Sequence, residues 1–174
     1  MTTVQVLPAV WPSMAYAAAE DLLARFVDRI TIDGRPVARA EVVLGDPAPL
    51  DCCGYAYSTV RRLFLSSAFP LDDTFAAGLA FDPVRCMTGT PACTLDVGVF
   101  RCMPSLTDAG GWPSPGDHSL ATSALYADAE ALVEALSCQT DFGVSPVAVT
   151  FVSPLGGCGS VFGSVTVDLD PVVG

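Results

Sequence analysis

The chain has 174 residues, of which 51% are hydrophobic, and eight basic residues against nineteen acidic ones give it a formal net charge of −11. This length predicts a single domain, residues 1–174, whose core can form without metals or disulfide bonds. All eight basic residues are arginines, which excludes a Walker A phosphate loop and lysine-based catalysis. The acidic balance argues against nucleic-acid binding, and the apolar surplus, with mean hydropathy +0.49, predicts contacts between subunits.

The N-terminal part of the chain predicts a helix. Residues 1–10 have neither the basic n-region nor the sustained apolar run of a signal peptide, so we expect cytoplasmic synthesis. From Met14 to Ile30, apolar residues recur at three- and four-residue spacing, as on one face of a helix. The members of this stripe are Ala15, Ala19, Leu22, Leu23, Phe26 and Ile30.

Two strands and a long connection are predicted next. Arg39–Leu44 has the pattern of a short strand, and Tyr55–Ser66 is rich in aromatic and β-branched residues. Residues 67–93 form an excursion interrupted by prolines and glycines. Connections of this length are often functional, so we expect an interaction element ordered by neighbouring subunits. The period of two places one set of residues of the second strand on a common face: Tyr55, Tyr57, Thr59, Arg61, Leu63 and Leu65.

The centre of the chain predicts a strand, a loop and a second helix. Thr94–Met103 alternates as a strand does, with Leu95, Val97, Val99 and Arg101 on one face and Asp96, Gly98, Phe100 and Cys102 on the other. Pro104–His118 is too rich in proline and glycine for a regular element. Ser119 is the expected N-cap of the helix. Its apolar stripe consists of Ala121, Leu125, Ala129, Leu132, Val133 and Leu136, while Asp128, Glu130 and Glu134 are expected to face solvent or a partner.

The C-terminal part predicts a hairpin. Val147–Val152 and Ser160–Leu169 are the expected strands, joined by a turn around Pro154–Gly159. The uncharged stretch Phe142–Val167 is long enough to cross a membrane, but its prolines and glycines would break a helix repeatedly, so no membrane association is expected. The order of elements predicts an α+β fold, with a single mostly antiparallel sheet and two helices packed on it.

No motif predicts catalysis, a cofactor or a metal site. The seven cysteines contain no Cys-x-x-Cys pair, although structural zinc sites usually have one. An enzyme would have to use the single histidine, His118, with Cys102 or Cys158 as nucleophile. The expected strand directions place Cys52, Cys53, Cys102 and Cys158 at one end of the sheet and Cys86, Cys93 and Cys138 at the other. In a reducing cytosol these thiols are expected to be free and buried, and later oxidation should link only members of one group.

Three segments carry a resemblance to a known family: Leu95–Pro104 (LDVGVFRCMP), Tyr126–Cys138 (YADAEALVEALSC) and Phe151–Gly159 (FVSPLGGCG). Together with the order of elements from Met14 to Leu169, they resemble the tail terminator proteins of long-tailed phages. The likeness is closest to versions from phages of GC-rich actinobacterial hosts.

The resemblance implies a small, acidic, non-enzymatic subunit that forms a six-fold ring at the head-proximal end of the tail tube. Its implied partners are further copies of the chain, the major tail tube protein and the head-tail connector. DNA would pass through the lumen without specific binding, and the protein would be located in the virion. A head-to-tail connector or stopper, and a small cytosolic cysteine-dependent enzyme, are the alternatives.

Overall fold

The computed structural model describes residues 11–46, 54–66, 68–70, 89–106, 110–137, 143–155 and 157–169. Within these ranges the chain forms two α-helices and five β-strands. In chain order they are α1 (Trp11–Ile32), β1 (Arg39–Val43), β2 (Tyr55–Ser66), β3 (Thr90–Cys102), α2 (Pro115–Ser137), β4 (Ala148–Leu155) and β5 (Cys158–Asp168).

The five strands form one sheet in the order β1-β2-β3-β5-β4. Only β1 and β2 are parallel, and the other three pairs are antiparallel. The predicted α+β fold with a mostly antiparallel sheet is therefore confirmed, and β1 and β4 are its edge strands. Among the described residues, no helix is long and apolar enough to cross a membrane.

Both helices pack on the same face of the sheet. Helix α1 contacts β1, β2 and β3, whereas α2 contacts β3, β4 and β5 as well as α1. The predicted apolar stripe of α1 is confirmed, because all of its members are buried. Complete burial of a side chain such as Phe26 or Leu22 contributes about 1.5–3 kcal/mol, so this stripe is the main reason that α1 stays on the sheet.

Two glycines of β5 allow α2 to approach the sheet closely. An added Cβ at Gly163 would lie 2.7 Å from a methyl group of Leu136, and one at Gly159 would lie 3.0 Å from a methyl group of Leu125. The two glycines are four residues apart and therefore lie on the same face of the strand. Leu136 of α2 fills the space beside Gly163, whereas Leu125 of α2 shares the space beside Gly159 with Met103, which would lie 2.7 Å from the added Cβ.

Helix α2 begins five residues earlier than predicted. It starts at Pro115, and the Ser114 side chain accepts a hydrogen bond from the backbone N–H of Asp117 at 3.1 Å, as an N-cap does. Ser114 also donates to the Asp117 carboxylate. The prediction of Ser119 as N-cap was wrong because proline is favourable at the first helical position, so Pro115 belongs to the start signal. His118 accordingly lies in the first turn of α2 and not in a loop.

The buried face of α2 differs from the predicted stripe at several positions. Asp128 is completely buried, and Val133 is 45% exposed. The prediction that Asp128 faces solvent or a partner was wrong, because two arginines from other elements reach its carboxylate. Ala131 and Ala135 are buried as well, although the predicted stripe did not include them, so the buried face of α2 is shifted towards Asp128.

Strand β2 has the predicted bounds, but its residues do not all share the predicted faces. A bulge lies between Val60, which pairs with Leu95, and Arg62, which pairs with Thr94. Because a bulge adds one residue to one strand, the alternation of faces is inverted beyond it. Leu63 pairs with Cys93, which belongs to the buried core under the helices. Leu63 and Leu65 therefore lie on the helix-facing side of the sheet, whereas Tyr55 lies on the other side.

Strand β3 begins at Thr90, which is the partner of Ser66, so residues 90–93 belong to the sheet and not to the predicted excursion 67–93. The prediction failed there because Pro91 was taken as a loop signal, although its carbonyl accepts a hydrogen bond from the Leu169 N–H at 2.8 Å. Residues 67 and 71–88 of the excursion lie outside the described residues.

The predicted arrangement of the described cysteines is confirmed, but their predicted redox state is wrong for two of them. Cys102 and Cys158 are Cα partners in the β3–β5 ladder, and both are disulfide-bonded. Cys93, at the other end of β3, is a free and buried thiol. The prediction was wrong for Cys102 and Cys158 because directly opposite positions on neighbouring strands bring two sulfurs close enough to bond. Cys52, Cys53, Cys86 and Cys138 lie outside the described residues.

Candidate assembly surfaces

A buried ion cluster attaches α2 to the sheet and to the segment after α1. The Asp128 carboxylate accepts hydrogen bonds from Arg35 Nε at 2.9 Å and from Arg101 Nε at 2.8 Å. Arg101 also donates to the Arg35 carbonyl at 2.8 Å, and Arg35 donates to the Ala127 carbonyl at 3.1 Å. Each charge therefore has partners, as burial of ions requires. The cluster fixes the position of α2, including the side chains that α2 presents to solvent.

The opposite face of the sheet carries an aromatic group and a second ion pair. The rings of Tyr55 and Phe100 are stacked with centroids 6.1 Å apart, and Tyr57 lies 5.4 Å from Phe100. Tyr55 donates a hydrogen bond to Glu41 at 2.8 Å, and burial together with this bond raises the pKa of Tyr55 to about 12. The Tyr55 hydroxyl and the Arg39 guanidinium lower the pKa of Glu41. These contacts tie the edge strand β1 to β2.

Close to this aromatic group, Arg61 donates to the Asp96 carboxylate, which also accepts a hydrogen bond from Ser164. Arg61 forms a further ion pair with Asp46. Burial, followed by the negative charge of Asp96, raises the pKa of Tyr57. Arg61, Asp96 and Asp46 are paired with one another, so this face has the character of a structural ion network and not of a reactive site.

An apolar groove lies at the β1 edge, between α1 and the strands β1 and β2. It has a volume of about 380 Å³ and is open to solvent. Tyr16 of α1 and Leu63 of β2 are half exposed there, and Leu44 is 94% exposed. We call this feature the β1 groove. It is lined by Pro12, Ala15, Tyr16, Val42, Val43, Leu44, Val60, Arg61, Arg62 and Leu63.

An exposed aromatic pair lies at the opposite edge. Tyr126 of α2 and Phe151 of β4 are 59% and 46% exposed, and their ring centroids are 4.9 Å apart. We call this feature the β4 knob. Val152 is also half exposed, and the sequence of β4, AVTFVSPL, contains no charged residue. An edge strand without charges is unusual, because charges on edge strands normally prevent pairing with other chains.

The two surfaces lie on the same side of the sheet but at opposite edges. Four strand spacings separate β1 from β4, which corresponds to about 19 Å at about 4.8 Å per spacing. The groove borders α1, and the knob includes α2, so both belong to the helical layer. Contiguous exposed apolar patches mark interaction sites on soluble proteins.

Sequence reasoning did not single out either surface. Tyr126 lies off the apolar stripe of α2. An aromatic residue on the polar face of a helix indicates an interaction surface, and this was the signal that the sequence offered. Leu44 follows the last residue of β1, and Phe151 lies in a strand whose edge position could not be known without the strand order. Tertiary proximity of α2 and β4 creates the knob.

The residues considered for catalysis are not arranged for it in this structure. Cys102 and Cys158 are disulfide-bonded, so neither carries the thiolate that nucleophilic attack requires. His118 is exposed on the first turn of α2. Within the described part of the chain, no group of three or more His, Cys, Asp or Glu side chains is placed to hold a metal ion.

In comparisons with known proteins, the sequence matches no protein-family model and no curated protein.

Proposed function

We propose that the chain is a structural virion protein, a tail terminator that forms a six-fold ring at the head-proximal end of a phage tail tube and joins the tube to the head-tail connector. The observation that carries the proposal is the presence of two different apolar surfaces, the β1 groove and the β4 knob, at opposite edges of one sheet. The resemblance described above supplies the biological setting.

Different surfaces at opposite edges favour a head-to-tail contact. A two-fold dimer uses the same patch on both subunits, whereas a head-to-tail contact uses one patch of each kind and closes into a ring when the rotation allows it. An apolar groove at one edge and an exposed aromatic pair at the other are two different patches, as a contact of this second kind requires. The apolar surplus in the composition then has a use in burying subunit interfaces.

The charge of the chain agrees with a ring through which DNA moves. A formal net charge of −11 gives a potential that repels phosphates, because specific or non-specific affinity for DNA depends on cationic side chains. Six copies would surround the lumen with a strongly acidic wall. DNA would then pass without being retained.

The test is the mass of the assembled protein and its binding to tail tubes. Light scattering should give a mass of about six times 18.0 kDa, and negative-stain images should show rings. If the purified protein is monomeric, it should still form rings on purified tail tubes. A chain that stays monomeric and does not bind tubes would contradict the proposal, whereas rings that bind the connector but not the tube would identify a stopper instead.

A further inference from the structure

We propose that Cys102 and Cys158 bond to each other and act as a redox switch, which closes residues 103–157 into one covalent loop and opens with a dithiol but not with a monothiol. Both cysteines are disulfide-bonded, and they are directly opposite Cα partners in the β3–β5 ladder. Such partners have Cα atoms about 4.5–5.5 Å apart, inside the limit of about 7 Å that a disulfide requires. The proposal does not depend on the proposed ring.

The switch lies where β3 ends and β5 begins. Next to it, the Met103 N–H donates a hydrogen bond to the Gly157 carbonyl at 2.7 Å, and Gly157 belongs to the turn between β4 and β5. Hydrogen bonds at the end of an element open easily when nothing else holds them. The disulfide therefore fixes an end of the sheet that would otherwise fray.

The covalent loop contains two complete elements, α2 and β4. It therefore also contains Tyr126 and Phe151, the two rings of the β4 knob. A disulfide stabilises a fold mainly by restricting the unfolded chain, and this effect increases with the length of the loop. The other pairs of the β3–β5 ladder do not depend on the bond, so the reduced chain should stay folded at lower stability.

The two sulfurs differ in their access to a reductant. Cys102 is exposed, whereas Cys158 is only 8% exposed. An incoming thiolate therefore attacks the sulfur of Cys102. The disulfide bond breaks, its electron pair goes to the sulfur of Cys158, which takes up a proton, and Cys102 is left in a mixed disulfide with the reagent.

The position of Cys158 opposite Cys102 decides which reductant succeeds. After attack by a monothiol, Cys158 attacks the mixed disulfide, expels the monothiol and restores the original bond. A dithiol instead forms a cyclic disulfide with its second sulfur and releases Cys102 as a thiol, so that two electrons pass from the dithiol to the protein. Closing the switch again requires an oxidant of the low-mass disulfide class, by the same exchange in reverse.

Reduction of the full chain followed by urea denaturation tests the switch. Dithiothreitol should lower the urea midpoint by about 1–2 M, while glutathione at the same thiol concentration should leave it unchanged. Alkylation and peptide mass mapping should find Cys102 linked to Cys158 before dithiothreitol treatment and both residues alkylated afterwards. A different partner for either cysteine, or equal midpoint shifts with the two reductants, would overturn the proposal.

The matched control is the double variant Cys102→Ala/Cys158→Ala, which keeps the other cysteines of the chain. Its midpoint without reductant should equal that of the reduced wild type, and dithiothreitol should not change it. A shift as large as that of the wild type would assign the redox response to other cysteines and refute the switch.

Circular dichroism of the wild type provides a measurement that needs no substitution. The reduced chain should keep its helix and strand content in the absence of urea, because the β3–β5 ladder remains. A chain that unfolds on reduction alone would show that the bond is a requirement for folding and not a switch.

Discussion

The buried carboxylate of Asp128 gives the sharpest prediction about stability. Asp128→Asn keeps the volume of the side chain and removes its charge, so no cavity forms. The guanidinium groups of Arg35 and Arg101 then lose their shared anion, and the amide group directs N–H donors towards other donors. Both arginines are held by carbonyl groups as well, so they cannot simply turn away into solvent.

The size of the effect follows from the burial of the three groups. Removing one partner of a buried ion pair destabilises a protein by about 3–5 kcal/mol. Asp128 is completely buried, but Arg35 and Arg101 retain 22% and 15% exposure of their side chains, so water screens part of the loss. We therefore expect the free energy of unfolding to fall by about 3 kcal/mol, the lower end of that range.

Urea denaturation measures this change. With a slope of about 2 kcal/mol per molar urea, the midpoint should fall by about 1.5 M at unchanged slope. The matched control is Glu134→Gln on the same helix, whose partner Arg29 lies at 2.9 Å in an exposed ion pair. Such pairs contribute about 0–1 kcal/mol. If Asp128→Asn shifted the midpoint no more than Glu134→Gln, the cluster would not be what attaches α2.

Three further predictions concern the sheet. Gly98→Ala should destabilise the fold by about 1–3 kcal/mol, because the new Cβ would lie 2.7 Å from a backbone carbonyl of β5. Gly116→Ala in α2 is the control: its new Cβ would meet only the Ser114 hydroxyl, at an ordinary contact distance of 3.6 Å, so it should be neutral or stabilising in the same denaturation assay. Burial raises the pKa of Cys93 to about 12, so iodoacetamide near pH 8 should label Cys93 only after unfolding, and rapid labelling in the native state, detected by peptide mass mapping, would contradict this. Tyr55→Phe should lower the free energy of unfolding more near pH 7 than near pH 3. The Tyr55 hydroxyl lowers the pKa of Glu41, so its hydrogen bond to the ionised carboxylate stabilises the fold at pH values above the ordinary carboxyl pKa. This contribution is lost as the pH falls through the lower pKa that Glu41 has in the folded state. Equal losses at both pH values would show that Glu41 is not the partner that matters.

Local patterns predicted most of the fold. The stripe of α1, the alternation of β3 and the bounds of β2 follow from side chains that face one core, and such periods are visible in a sequence. The start of α2 was missed because a proline usually indicates a loop, whereas at the first position of a helix it is favourable, and Pro115 occupies that position. The inverted face beyond Arg61 was missed because a bulge depends on the partner strand, which the residues of β2 do not specify.

The polar core and the assembly surfaces could not be predicted for a related reason. Asp128 is the kind of residue that is rarely buried alone, and its partners Arg35 and Arg101 are 93 and 27 residues away. Burial of this carboxylate becomes favourable only when three elements meet. The knob likewise needs Tyr126 and Phe151, which belong to elements separated by a connection whose path the sequence does not define.

The ion cluster and the knob are two residues apart on α2, and this proximity connects stability with assembly. Asp128 fixes the rotation of the helix through Arg35 and Arg101, and Tyr126 meets Phe151 only in that rotation. At a temperature and urea concentration where Asp128→Asn remains folded, the proposed ring of subunits should therefore dissociate at a higher protein concentration than it does for Glu134→Gln. The Glu134→Gln substitution leaves the helix in place. Sedimentation velocity across a dilution series compares the two, and equal ring stability would mean that the knob is positioned by apolar packing on Gly159 and Gly163 alone.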